Sequence, residues 1–90
     1  MATLEKIRER IHEIAGRRNS VTLSEIEWVV NQLAGHNYRT SSKQARHGKL
    51  FGVGSQRFMV NYHNPGHSQV KKYSVDAFLD AMIELGLYDD

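Results

Sequence analysis

Seven cationic side chains (Arg39, Lys43, Arg46, Lys49, Arg57, Lys71 and Lys72) and four of the five histidines fall between His36 and Tyr73, a stretch with no Asp or Glu. All ten carboxylates lie outside it, so the formal charge of +2 hides a strongly basic middle between acidic-leaning ends. Such asymmetry points to a polyanionic partner. Guanidinium and ammonium groups hold phosphates, and imidazole can move a proton near neutral pH. A Ser, His and Asp triad cannot be assembled from this stretch, because no acid is there to orient a histidine. His63 and His67, four apart across a turn, have no carboxylate or thiolate nearby to complete a metal set, and the chain has no Cys. The three glycines Gly48, Gly52 and Gly54 match neither a Walker loop nor a dinucleotide fingerprint. Neither a metal nor a cofactor is therefore expected.

The elements that must position these residues can be read from pattern. Leu4, Ile7, Ile11 and Ile14 form one stripe of a helix from about residue 3 to 15, with Gly16 as its left-handed stop. That stripe is expected to pack on its own domain; the other reading is a short seam for a weak homodimer. Thr22 with Glu25 forms a capping box, and Val21 with Ile26 a hydrophobic staple, which opens a helix over Leu23 to Ala34 that ends at Gly35. Trp28 lies off its stripe and is expected to pack against the first helix.

Phe58, Val60 and Tyr62 alternate with Arg57, Met59, Asn61 and His63, which predicts a strand with one dry and one wet face. The turn signal Asn64-Pro65-Gly66 predicts a return over Ser68 to Tyr73, giving a hairpin from Arg57 to Tyr73 that carries Lys71 and Lys72 beside Arg57. One more strand is expected within Tyr38 to Leu50, followed by a loop from Gly48 to Gly54. Ser74 is expected to cap a last helix with Val75, Phe78, Leu79, Met82 and Leu85 on its apolar face and a Schellman ending at Gly86 and Leu87. Ninety residues make a single domain, 1 to 90, with residues 1 to 21 as an N-terminal helical extension and 22 to 90 as the core. A charged N-terminus and the lack of a long apolar run predict a cytoplasmic protein.

At Gly54-Ser55-Gln56-Arg57-Phe58, followed by strand, turn and capped helix, the sequence resembles the HicA family of toxin components over roughly residues 22 to 87. The resemblance implies a double-stranded-RNA-binding-domain-like (dsRBD-like) fold, messenger-RNA cleavage and a HicB-like antitoxin protein as partner. Gly54-Ser55 matches the family motif, and the family's catalytic histidine falls at Gln56. Glutamine can hydrogen-bond a phosphate but cannot exchange a proton near neutral pH. A metal-independent ribonuclease would then need His47, His63 or His67 as its base.

The sequence therefore predicts an α+β fold, a small antiparallel sheet of two or three strands with helices on one face and an extra N-terminal helix. The open face is expected to bind RNA through Arg39, Arg46, Lys49, Ser55, Arg57, Lys71 and Lys72. The competing expectation is a non-enzymatic interaction domain whose basic face docks an acidic protein partner.

Overall fold

The computed structural model describes residues 2–62 and 69–89. Within them the order is α1 (Leu4–Gly16), α2 (Leu23–Ala34), β1 (Thr40–Gln44), β2 (Gly48–Val53), β3 (Gln56–Asn61) and α3 (Lys72–Glu84). The fold is a small α+β unit in which the strands form one antiparallel meander, β1-β2-β3. No helix among the described residues is long and apolar enough to cross a membrane.

The alternation read in β3 is the hinge of the architecture. Phe58 and Val60 are buried while Arg57 and Met59 are exposed. Phe58 stands opposite Phe51 of β2, with ring centroids 5.5 Å apart, and meets the edge of Phe78 in α3 at 5.6 Å. Val53, Val60, Val75 and Met82 close around these rings without exposure. Ile7, Ile11 and Ile14 of α1 belong to the same cluster, so the first helix is built into the core and its stripe is not available for a dimer seam. Trp28 packs partly buried beneath the guanidinium of Arg10 on α1, 4.7 Å from its ring.

Helix α2 starts as its sequence predicts. The backbone N–H of Thr22 donates to the Glu25 carboxylate at 3.1 Å, and Val21 and Ile26 are both fully buried. Glu25 also pairs with Arg17. Burial is the largest influence on Glu25 and opposes its charge, yet the hydrogen bonds from Arg17 and Thr22 outweigh it and hold the carboxyl below its ordinary value. The Schellman ending of α3 is also present: Leu87 N donates to Met82 O at 2.8 Å, Gly86 N to Ile83 O at 3.0 Å, and Gly86 has φ +75.

Four expectations require correction. Residues 48 to 53 form the central strand and not a loop, because Phe51 and Val53 are buried and pairing on both sides satisfies the backbone. The return strand over Ser68 to Tyr73 is not formed in the described part. Only Gln69 and Val70 make isolated bridges, to Thr22 and Tyr62, before Lys72 and Tyr73 enter α3. Ser74 does not cap α3; the extended residue before the helix is Lys71, and the Ser74 hydroxyl, 1% exposed, accepts from Asn61 N at 2.9 Å. Gly16 is not left-handed: it is the last residue of α1, and Arg17 caps the helix with negative φ, whereas Gly35 ends α2 as its sequence predicts and Asn37 takes the positive φ of 70 after it. The turn at Asn64-Pro65-Gly66 lies outside the described residues.

Two glycines behave differently. A Cβ at Gly48 would stand 2.3 Å from the carbonyl oxygen of Val60, which the sheet holds in place, whereas one at Gly16 would meet nothing within 4 Å. Gly48→Ala should therefore destabilise the fold by about 1–3 kcal/mol, and Gly16→Ala should stabilise it by about 0.5–1 kcal/mol, both read from urea unfolding. The lowered Glu25 value also fixes a sign. Its contribution is present at neutral pH and is lost as pH falls from the ordinary carboxylate range through the lowered value. Glu25→Gln keeps a hydrogen-bond acceptor for Thr22 N, so urea midpoints measured against pH should lose that part of the acid-side slope.

Candidate nucleic-acid interface

Strand parity sorts the basic stretch. With Phe51, Val53, Phe58 and Val60 facing the helices, the opposite parity faces away: Ser41 and Lys43 on β1, Gly48, Leu50 and Gly52 on β2, and Arg57, Met59 and Asn61 on β3. The register makes cross-sheet rows of Ser41, Gly52 and Arg57, and of Lys43, Leu50 and Met59. Gly52 leaves the first row low, and a Cβ there would come within 2.6 Å of the Ser41 hydroxyl. A depression of about 260 Å³ on this face is lined by Ser41, Ser42, Lys43, Leu50, Phe51 and Arg57.

Two ends bound this face. At one, Gly54 with φ +59 and Ser55 make the tight turn between β2 and β3, and Gly54 N donates to Arg39 O at 2.8 Å. Arg39, Ser55, Gln56 and Arg57 therefore cluster there, with the Gln56 amide 3.4 Å from the Ser55 hydroxyl. At the other end lie Arg46 and His47, in the turn between β1 and β2, and the start of α3. Lys71 N donates to Asn61 O at 2.9 Å, and Tyr62 N donates to His47 O at 3.2 Å, which ties both segments to the end of β3. Tyr73 projects there from the first turn of α3. Its hydroxyl accepts from the Asn61 amide at 3.1 Å, Lys71 Nζ lies 6.0 Å from its ring, and it is 57% exposed.

Most predicted residues thus share one face or its two ends; Gln56, opposite Val53, and Lys49 are on the helix-side parity. The Lys49 ammonium pairs with Glu27 of α2 at 2.7 Å. A carboxylate from outside the basic stretch has neutralised it, which spacing within the stretch could not reveal. Lys71 and Lys72 do not sit on a strand paired with Arg57; they precede and open α3. Among the described residues no ion pair engages Arg39, Lys43, Arg46, Arg57, Lys71 or Lys72. His47 stands at the far end of β2 from Gln56, about 20 Å by strand length, and cannot take the place of a base there. His63 and His67 lie outside the described residues. His36 is turned to the helical side, its Nε2 2.6 Å from Ala2 O, and His12 packs on Tyr88.

The residues that the sequence did not single out as contacts are Lys43, Leu50 and Met59. The alternation in β3 already turned Met59 outward beside Arg57, but Leu50 could join it only once residues 48 to 53 were known to be a strand. Compared with known proteins, the chain matches no family model, no curated protein and no solved structure.

The join between Asn61 and Ser74 sets where Tyr73 stands. Ser74→Ala leaves the Asn61 N–H without its acceptor and should cost about 1–3 kcal/mol in urea unfolding.

Proposed function

We propose that this protein binds RNA through the open face of its sheet, with Arg57 and Lys43 on the face and Arg39, Arg46, Lys71 and Lys72 at its ends as phosphate contacts. The observation that carries the reading is the set of six cations without ion-pair partners among the described residues, in a stretch that contains no carboxylate. Like charges so gathered repel one another in the free protein, and a phosphate chain relieves that repulsion while releasing counterions.

The resemblance to the HicA family supports the same partner. The order α2, β1, β2, β3, α3 is helix, three strands, helix, as the resemblance implies for a dsRBD-like unit, but Gly54-Ser55 opens the third strand where the family motif opens the second. On this reading the protein is a toxin-family relative whose antitoxin-like partner would cover the basic face. Gln56, at the turn end of β3 and on its helix-side parity, cannot exchange a proton near neutral pH, and the function proposed is binding without cleavage.

The test is a gel shift with a labelled RNA that carries both a stem and an unpaired tail, with the same samples run under denaturing conditions. The expected result is a shift with intact RNA, weakening by about three orders of magnitude between about 50 and 200 mM salt if all six cations contact phosphate. Arg57→Ala combined with Lys71→Ala should weaken binding about 10-fold or more at the lower salt, and Lys49→Ala should change it less than about 2-fold. Cleavage abolished by His47→Ala, His63→Ala or His67→Ala would overturn binding without cleavage. No shift at low salt would overturn the RNA reading and leave an acidic protein as the ligand of this face.

A further inference from the structure

The basic face is not uniformly basic. Leu50 and Met59 stand side by side at its centre, directly opposite in register, with Met59 37% exposed. Lys43 adjoins Leu50 in the same row, and Arg57 precedes Met59 by one outward position on β3. Beyond Asn61 the face ends in Tyr73, whose ring is the most exposed of the large apolar side chains among the described residues. Tyr73 is also held: the Asn61 amide fixes its hydroxyl, and Lys71 lies at its flank. A column thus runs about 13 Å along β3, from Arg57 to Asn61, with Leu50 and Met59 as one apolar step and Tyr73, beyond the polar Asn61, as the next, and with cations at both ends and along one side.

Resting on the RNA reading, we propose that this face takes an unpaired strand and not a duplex, with Tyr73 as the platform on which one base stacks and Leu50 with Met59 as the seat of its neighbour. The chemistry separates the two ligands. A duplex keeps its base faces stacked inside and offers a protein phosphates and 2′-hydroxyls, which leave these apolar steps nothing to bury against. An unpaired strand offers flat apolar base faces on a charged backbone, the pattern this column and its flanking cations complement. The depression lined by Ser41, Lys43, Leu50 and Arg57 accepts the backbone phosphate that leads to the seat, with the Ser41 hydroxyl there to donate to it. Recognition of this kind is tolerant of sequence, because every base has such a face.

The test compares an unstructured labelled strand of about 16 nucleotides, the upper range for such sites, with the same strand annealed to its complement, by fluorescence anisotropy at low salt. The unpaired strand should bind about 10-fold or more tightly than the duplex. Tyr73→Ala should reduce single-strand affinity about 10-fold and duplex affinity less than about 2-fold, while Tyr73→Phe, which keeps the ring, should retain most single-strand binding. Because Tyr73 is more than half exposed, these variants should fold, and circular dichroism of each checks that. Duplex bound as tightly as the single strand, or Tyr73→Ala weakening both alike, would overturn the proposal while RNA binding stands. Binding of neither ligand would overturn the RNA reading itself and this proposal with it.

Discussion

The contact of Phe58 with Phe51 on one side and Phe78 on the other decides which side of the sheet is dry. Because side chains alternate along a strand, placing Phe58 against α3 also turns Arg57 and Met59 outward, and the register of β2 on β3 then turns Gly52 and Leu50 outward beside them. A slip of one residue would exchange the two sets, burying a guanidinium and exposing a phenyl ring. The apolar core and the basic face are therefore two results of one constraint.

The helices act on that face from a distance. Helix α3 holds Phe78 and Met82 against the sheet, and its first turn delivers Tyr73 to the end of β3 through the Ser74 and Asn61 contacts. Helix α2 sends Glu27 across to Lys49 and so removes one cation from the set that faces solvent. Helix α1 contributes Ile7, Ile11 and Ile14 to the shared core, and a chain without it would leave those positions open to water. What the sequence suggests as an added segment is thus part of what keeps the sheet in place.

Much of this was legible in advance where local chemistry is self-contained. The capping box at Thr22 and Glu25, the staple of Val21 and Ile26, and the Schellman stop at Gly86 each need only residues within one helical turn. The strand at Phe58 and Val60 announces itself by alternation. Legibility ended where long-range pairing decides. Residues 48 to 53 carry two glycines and a lysine among three large apolar residues and read as a loop, yet the strands on either side make them the central strand. Gly48 is required there by the close approach of the Val60 carbonyl, a reason that belongs to β3 and not to its own neighbourhood. Ser74 has the composition of a cap, but the Asn61 N–H claims its hydroxyl. Lys49 illustrates the same limit in the site, since its partner lies 22 residues earlier on another element.

Strand β1 forms one edge of the sheet, and its five residues are Thr40, Ser41, Ser42, Lys43 and Gln44. Not one is apolar, the last four are exposed, and the strand is short. A free edge presents unpaired backbone groups on which another chain could build, and short, polar, lysine-bearing edges are how sheets discourage that. The same lysine that stands on the open face therefore also works against self-association: two copies meeting edge to edge would gain backbone hydrogen bonds but bury no oil, and would have to desolvate two ammonium groups.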